Sequence, residues 1–309
     1  MTGDIVVPAT AVEQLFMSVI VVAYNEERTI ATALQSIQLA IRQSACNVEL
    51  IVVLTGCTDN TESEVYRVAK GIPTVRVFSK AERLSKSDAL NLGASLAVGE
   101  ILLFFDADLS FDRHSISRIQ DAFSKDGSLD LAFGRMIPLS GPSWWWSKVG
   151  QWTADVLNAI RGEQTGCGLW LVCGPLFAIR AGAWQPLPKG LISDDLYVGC
   201  HARERHLHIK YLPCVFAYGR YPQTLSDYLS QKLRNRSARI QLRTLFREEC
   251  GAVPMWLAPF GIRCLGWATF RYIPILLIDV LLTIIALFQW SIGKRQTALW
   301  TPASSTKRQ

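Results

Sequence analysis

The chain has 309 residues, half of them apolar and 19% charged, with a formal net charge of +6. That length suits one large domain with an appendage, or two small domains. The basic clusters at 232–247 and 294–308 flank apolar segments and accompany no nucleic-acid-binding motif. The charge therefore points to an anionic membrane surface rather than to nucleic acid. Eight cysteines without a Cys-X-X-Cys pair read as reduced, buried thiols of a cytosolic compartment. The N-terminus "MTGDIVVPATAVEQLF" carries two acids and no basic region, so it does not read as a secretory signal. The catalytic part is expected to face the cytoplasm.

Residues 17–24, "MSVIVVAY", form a short β-branched apolar run, the pattern of a buried strand. The following segment repeats Ile30, Leu34, Ile37 and Ile41 at helical spacing, with acids expected in the helix's first turn. "VELIVVLTG" (48–56) predicts a second buried strand. "TDNTESEVYRVAKG" opens with capping residues and closes on Lys-Gly, so it predicts a helix. "TVRVFS" predicts a third strand, "SKSDALNLGASLAVG" a third helix and "EILLFFDAD" a fourth strand. This alternation implies a mostly parallel sheet with helices on its faces. Ligands of such sheets sit at the C-terminal strand ends. Asn25-Glu26, Thr55-Gly56 and Asp106-Asp108 fall at those ends and should converge on one crevice.

The middle is less regular. "SLDLAFGRMIPL" (128–139) reads as a strand. "GPSWWWSKVGQWTADVLNAIRG" is aromatic and then helical, and its tryptophans suit bilayer docking, sugar stacking or partly buried core. "GCGLWLVCGPLF" (166–177) is apolar with glycines, which allow close approach of a ligand or tight core packing. "LISDDLYVGCHARERHLHIKYLP" starts at paired aspartates and ends in a strand. His201, His206 and His208 lie near one another in sequence and read as ordinary strand or surface histidines, with metal ligation as the rival.

From 251 the chain becomes strongly apolar. "IPILLIDVLLTIIALFQW" (273–290) is of borderline length for a bilayer span. Its rivals are a buried helix or one lying in the interface. Trp267, Trp290 and Trp300 fit an interfacial belt. A hairpin or a re-entrant insertion would keep both basic flanks on the cytoplasmic side. The division expected is an N-terminal extension (1–16), a catalytic domain (17–240) and a membrane-associating helical region with a basic tail (241–309).

Asp106 and Asp108 stand one residue apart where an apolar run breaks. At a strand end, residues i and i+2 point the same way. Two hard carboxylates on one side suit Mg²⁺ or Mn²⁺ completed by phosphate oxygens and water. Asp-X-Asp alone also fits a solvated helix cap. The surrounding segments raise its significance: "VIVVAYNEE", "IVVLTGCTDNT", "SKSDALNLG" and "ILLFFDAD" occur in this order and spacing. Together they resemble the family-two glycosyltransferases of the GT-A fold over roughly residues 17–240.

The resemblance implies an α/β, Rossmann-like, mostly parallel sheet, joined here to a C-terminal hydrophobic helical membrane segment. It implies an inverting, metal-dependent transferase using a nucleotide sugar, a UDP-sugar first of all. Ala23, Tyr24 and Glu26 would line the base and ribose. Lys86 would reach the nucleotide or its diphosphate, with Asn91 supporting that loop. Asp106 would contact the ribose or sugar, and Asp108 would hold the metal on the diphosphate. The family's aspartates before the turn glycine are replaced by Leu54 and Thr55. Thr55 can still bond a base, so the choice of uridine is weakened. "ISDDLYVG" matches the family's acidic motif, with Asp195 as the base that takes the acceptor proton and Asp194 beside it. A helix cap is the plainer reading of the pair. In "QKLRNR", Gln231 and Arg234 match a Gln-X-X-Arg-Trp motif, but Asn235 replaces the tryptophan. Arg234 would then contact the diphosphate or serve as a basic face near headgroups. The lost tryptophan and the short chain favour transfer of a single sugar to a lipid or lipid-linked acceptor at the cytoplasmic membrane. The rivals are a polysaccharide or polyprenyl-phosphate glycosyltransferase, or a non-catalytic membrane scaffold of the same fold. A dinucleotide oxidoreductase is disfavoured, because no Gly-X-Gly-X-X-Gly follows the first strand.

Overall fold

The computed structural model describes residues 16–45, 47–72, 74–163, 172, 174, 176–246 and 273–293. Strands β1 (Phe16–Ala23), β2 (Asn47–Thr55), β3 (Val75–Lys80) and β4 (Ile101–Asp106) alternate with helices α1 (Ile30–Arg42), α2 (Thr61–Ala69) and α3 (Lys86–Leu96). These four strands run parallel in the order β3-β2-β1-β4. Chain order reverses about β1, which leaves a crevice beyond the carboxyl ends of β1, β2 and β4.

Beyond β4 the sheet departs from the parallel expectation. Strand β7 (Leu176–Arg180) pairs antiparallel with β4 and with β6 (Leu131–Pro138). Strand β8 (Ile209–Gly219) runs parallel to β6, and the two-residue β5 (Ser110–Phe111) closes the edge antiparallel to β8. The sheet is thus eight-stranded and mixed. Sequence reading missed β5, β7 and helix α4 (Ser115–Lys125). Strands β7 and β5 are short, and β7 is glycine-flanked, whereas α4 carries helical spacing at Ile116, Ile119 and Phe123 that sequence reading passed over.

The core lies on both sheet faces. Ile30, Leu34 and Ile37 of α1 are fully buried against alternate residues of β1 and β2 on one face, while Ile20, Ile51 and Phe104 face α3 on the other. Helix α1 begins at Ile30, so Glu26 and Glu27 precede it and do not occupy its first turn. At the N-terminal end of the parallel strands, buried Glu49 accepts from Ser18 Oγ at 2.6 Å, Val98 N–H at 2.8 Å and Arg76 Nη1 at 3.0 Å. Ser18 Oγ in turn accepts the Gly99 N–H at 2.9 Å. This polar knot ties β1, β2, β3 and the α3–β4 turn together. Among the cysteines, Cys200 is buried, Cys57 half-buried and Cys214 exposed, so Cys214 departs from the buried-thiol expectation.

Helix α5 (Trp144–Glu163) and helix α7 (Leu225–Leu245) pack beyond the β6–β8 end, and α6 (Asp194–Glu204) lies between β7 and β8 in sequence. Helix α8 (Ile273–Ser291) docks on α7. Its Ile275 and Ile278 join Val149, Tyr228 and Trp146 in a small apolar cluster. Leu277, Val280, Leu281, Ile284 and Phe288 lie along its opposite face and are 56–65% exposed. Among the described residues, no helix is long and apolar enough to cross a membrane. The segment 251–270, the other half of the expected hairpin, and Trp267 and Trp300 lie outside the described residues, as do residues 1–15.

Candidate active site

The crevice at the switch point is lined by Val22 and Ala23 at the end of β1 with Tyr24 just beyond, Thr55 from β2, Arg83 to Lys86 at the start of α3, and Asp106 at the end of β4 with Ala107 just beyond. Ala23, Tyr24, Thr55, Lys86 and Asp106 therefore meet at one place, although they come from four separated segments.

Local chemistry explains each position. Ser85 caps α3: its Oγ accepts the Asp88 N–H at 3.1 Å and donates to Asp88 Oδ2 at 2.7 Å. This Ser-X-X-Asp box fixes the helix start, so Lys86 occupies the first helical position at the cleft. Gly56 follows β2 with φ +56°, and a Cβ there would stand 2.8 Å from the Arg83 backbone. Only glycine allows that approach. Arg83 consequently lies with its guanidinium carbon 3.9 Å from the Tyr24 ring centre. This cation–π pair forms a flat wall at the cleft mouth, suited to a planar base. Sequence reading passed over Arg83. The glycine turn and the nearby capping box mark its loop as one that packs closely, but no local pattern pairs it with Tyr24.

Lys86 is the centre of charge. Its Nζ lies 2.8 Å from Asp106 Oδ1 and 3.3 Å from Asp194 Oδ2. The Asp106 side chain is 24% exposed and that of Lys86 only 19%. Burial pushes the Asp106 carboxyl up to about 6, with Lys86 opposing and the Asp108 and Asp194 charges adding to the rise. Lys86 is held above the usual lysine range: burial works against its charge, but Asp106 and Asp194 outweigh it.

Strand β4 stops at Asp106, so Asp108 stands in the following turn and not on the strand as expected. The two carboxylates still feel each other, as the Asp108 contribution to Asp106 shows. Two adjacent, half-buried hard-oxygen donors fit Mn²⁺ or Mg²⁺, with phosphate and water completing the shell. Among the described residues, no group of three or more His, Cys, Asp or Glu side chains is arranged to hold an ion. The histidines supply no such centre: His201 lies within α6, His206 in the turn after it, and His208 ahead of β8 beside Ser128.

The paired aspartates open α6 after Ser193. Asp195 Oδ1 accepts from Ser193 Oγ and from the Leu196 N–H, the latter at 2.8 Å. It thus accepts one backbone N–H, while the cap position itself falls to Ser193, whose side chain makes no cap bond. Its Oδ2 faces Gly174, where an added Cβ would stand 2.6 Å away. Burial first, and then the Asp194 charge, push the Asp195 carboxyl up. A carboxylate so perturbed is a better proton acceptor near neutrality. Two amides hold the segment leading to this pair. Asn91 donates to the Leu187 carbonyl at 2.9 Å and accepts its N–H at 2.8 Å. Gln241 donates to the Gly190 carbonyl at 2.8 Å and accepts the Ile192 N–H at 2.9 Å. Asn91 therefore braces the approach to α6, not the Lys86 loop as expected. Gln241 was not foreseen, since its partner segment is remote in sequence.

Two expected residues lie elsewhere. Glu26 is fully buried away from the cleft lining. Its Oε2 accepts from Thr29 Oγ1 at 2.7 Å, and its carbonyl accepts the Thr29 and Ile30 N–H groups that start α1. In this structure it sets the helix start. Arg234 is half-buried on α7 and is not part of the cleft lining. Most of 166–175 lies outside the described residues.

A parallel-sheet switch point thus joins an aromatic wall, a buried lysine and acids from two elements in one cleft of an α/β fold. Residues 18–185 match the family described as Glycosyl transferase family 2, and the chain belongs to that family. A curated relative, the poly-beta-1,6-N-acetyl-D-glucosamine synthase of Staphylococcus aureus strain COL, is 24% identical over 218 residues, 68% of this chain and 51% of that protein. The chain thus spans about half the length of that relative. Glycosyltransferase AglD of Haloferax volcanii is 30% identical over 125 residues, 40% of this chain and 20% of that protein. Among solved structures, the mannosyltransferase PcManGT from Pyrobaculum calidifontis, in complex with GDP-Man and Mn²⁺, superposes with a TM-score of 0.58. It is 20% identical and the match covers 91% of this chain and 75% of that one. Glucosyl-3-phosphoglycerate synthase from Mycobacterium tuberculosis, with Mn²⁺, UDP and product, gives 0.54 at 20% identity, covering 78% and 82%. These likenesses establish the GT-A-like fold. The chain is thus a member of glycosyltransferase family 2 with that fold.

Proposed function

We propose that the protein transfers a single sugar from a UDP-sugar, with inversion, to a lipid or lipid-linked acceptor at the cytoplasmic face of a membrane. The observation that carries this reading is the meeting of Asp106, Lys86 and the Asp194-Asp195 helix start around one cleft. The donor nucleotide would lie between the Tyr24–Arg83 wall and Thr55, its diphosphate toward Lys86. Asp106 and Asp108 would hold Mn²⁺ or Mg²⁺. A bound divalent ion supplies Lewis-acid stabilisation of the charge that develops on the leaving diphosphate. The acceptor oxygen forms the new bond to the anomeric carbon as the bond to the diphosphate oxygen breaks. Asp195 takes the acceptor hydroxyl proton, and Lys86 offsets part of the departing negative charge.

The membrane part of the reading rests on α8. Its 19 residues span about 28 Å. One face is packed against α7, and the other presents the exposed apolar stripe. Such a helix suits lying in the headgroup–acyl boundary with its open face toward lipid. Trp144, 71% exposed at the start of α5, adds an amphipathic anchor of the kind favoured at interfaces. The likeness to a polysaccharide synthase supports a second reading, in which the acceptor is a growing glycan.

The test is calorimetric binding of UDP and GDP to the full chain with Mn²⁺ and with EDTA, followed by product analysis. Mn²⁺-dependent UDP binding is expected, lost in Asp108→Asn and kept in Asp195→Asn, whose transfer activity disappears. GDP binding in place of UDP would replace the donor assignment. Full transfer activity in Asp195→Asn would remove the base assignment.

A further inference from the structure

Two neighbouring aspartates at one helix start invite the question of whether they share a task. The geometry separates them. Asp195 is bonded to Ser193 and Leu196, neither bond being to Lys86, and turns its second oxygen to Gly174. Asp194 is 9% exposed and turns Oδ2 toward the Lys86 ammonium. The Lys86–Asp106 contact, at 2.8 Å, is a short charge-assisted bond. The Lys86–Asp194 contact, at 3.3 Å, is within ion-pair reach, yet Asp194 Oδ2 is buried with no hydrogen bond directed at it. A buried carboxylate oxygen left in this state is costly. It is an acceptor waiting for the ammonium to come closer.

Resting on the family-two reading above, we propose that Asp194 is a positioning residue that receives the Lys86 ammonium when a divalent ion takes Asp106. In the structure Lys86 bonds one oxygen of the Asp106 carboxylate that would help to hold such an ion. A cation cannot share that oxygen with an ammonium at hydrogen-bond distance without strong repulsion. A short movement of Nζ from Asp106 to Asp194 frees the carboxylate and completes the missing bond to Asp194 Oδ2. The lysine stays at the cleft, between the metal-binding turn and the start of α6, where a diphosphate would lie. The same movement links loading of the donor half-site to the helix that carries Asp195. Asp194 itself needs no contact with either substrate.

The proposal is tested by a double-mutant cycle on Mn²⁺ binding alone, measured on the full chain by electron paramagnetic resonance. The proteins are the parent, Asp194→Asn, Lys86→Met and the double variant. Losing the Asp194 charge leaves Asp106 as the carboxylate in direct contact with Lys86, so Asp194→Asn should weaken Mn²⁺ binding about tenfold. In the Lys86→Met background the same substitution should change it less than about twofold, the residue of lost long-range charge. Asp194→Glu, which keeps the charge, should restore most of the affinity. Equal weakening in both backgrounds would reduce Asp194 to a through-space charge, and no weakening would reduce it to a helix-start residue. Either result overturns the proposal while leaving the family-two function intact. A parent protein that binds neither Mn²⁺ nor a Mn²⁺–nucleotide pair would overturn both readings together.

Discussion

Gly174 offers a direct test of where the base sits. Replacing it by alanine places a methyl carbon 2.6 Å from Asp195 Oδ2 and 2.9 Å from both Cβ and Cγ. Ordinary contacts of this kind lie roughly 0.6–0.8 Å further out, so something must move. Asp195 has a short side chain, and its Oδ1 is already held by Ser193 Oγ and the Leu196 N–H. Because its Cβ is crowded too, a rotation about χ1 alone does not clear the clash. The carboxylate is expected to shift by somewhat under an ångström. A misplacement of about 1 Å at a reacting group costs on the order of 10²-fold in rate. Gly174→Ala should therefore lower kcat by about ten- to a hundredfold. The Tyr24–Arg83 wall, Thr55 and Asp106 are untouched, so Mn²⁺-dependent nucleotide affinity should stay within about twofold. The stability cost of overpacking should be about 1–3 kcal/mol. Steady-state kinetics with UDP-sugar and acceptor, beside calorimetry of UDP, separates the two effects. Wild-type kcat in Gly174→Ala would show that the Asp195 carboxylate does not need this position. A fall in nucleotide affinity equal to the fall in kcat would show that Gly174 serves the donor side.

Other consequences can be checked independently. Burial tends to raise the Glu49 pKa, but bonds from Ser18, Val98 and Arg76 outweigh it and leave the carboxyl below its usual range. Its stabilising contribution is therefore complete above about pH 4.3, and is lost as pH falls through the lowered folded value. Glu49→Gln should depress Tm at pH 7, with the gap to wild type closing toward pH 3 in thermal melts; a gap independent of pH would exclude the ionic account. Arg83→Ala removes the guanidinium stacked on Tyr24, a contact worth about 1 kcal/mol, and should weaken UDP binding severalfold in calorimetry. Unchanged affinity would place the base elsewhere. Replacing Leu281 and Ile284 of α8 together by glutamate should abolish sedimentation with anionic lipid vesicles without changing Tm by more than a few degrees. These side chains are exposed, so a large loss of stability would show instead that the face is covered within the protein.

The first half of the chain was legible because its signals are local. Continuous β-branched runs such as 17–22 and 48–53 can be satisfied only when both sheet faces are covered, and the helices between them carry one-sided apolar spacing. Once alternation fixes a parallel sheet, the strand ends bring Thr55, Lys86 and Asp106 to a common edge, whatever the details. The turn glycine Gly56 was readable for the same reason, and the Ser85–Asp88 box, seen only in the structure, likewise satisfies a requirement of its own few residues. Where the structure differed, the deciding partner was remote. Glu26 looked like a ligand residue because it follows a strand, but Thr29 and the start of α1 bury it. The Asp-X-Asp pair looked like two positions of one strand, but the ladder stops at Asp106 and Asp108 belongs to the turn. Strand β7 became part of the sheet only because β4 and β6 offered unpaired edges on either side of it. Asn91 and Gln241 hold the approach to α6 across 96 and 51 residues of sequence, respectively. The sequence alone thus determined the layered α/β plan and the chemical inventory of the cleft. Which oxygen faces Lys86, which faces Gly174 and which face of α8 stays open were decided by tertiary packing, because each depends on a neighbour that the local pattern does not encode.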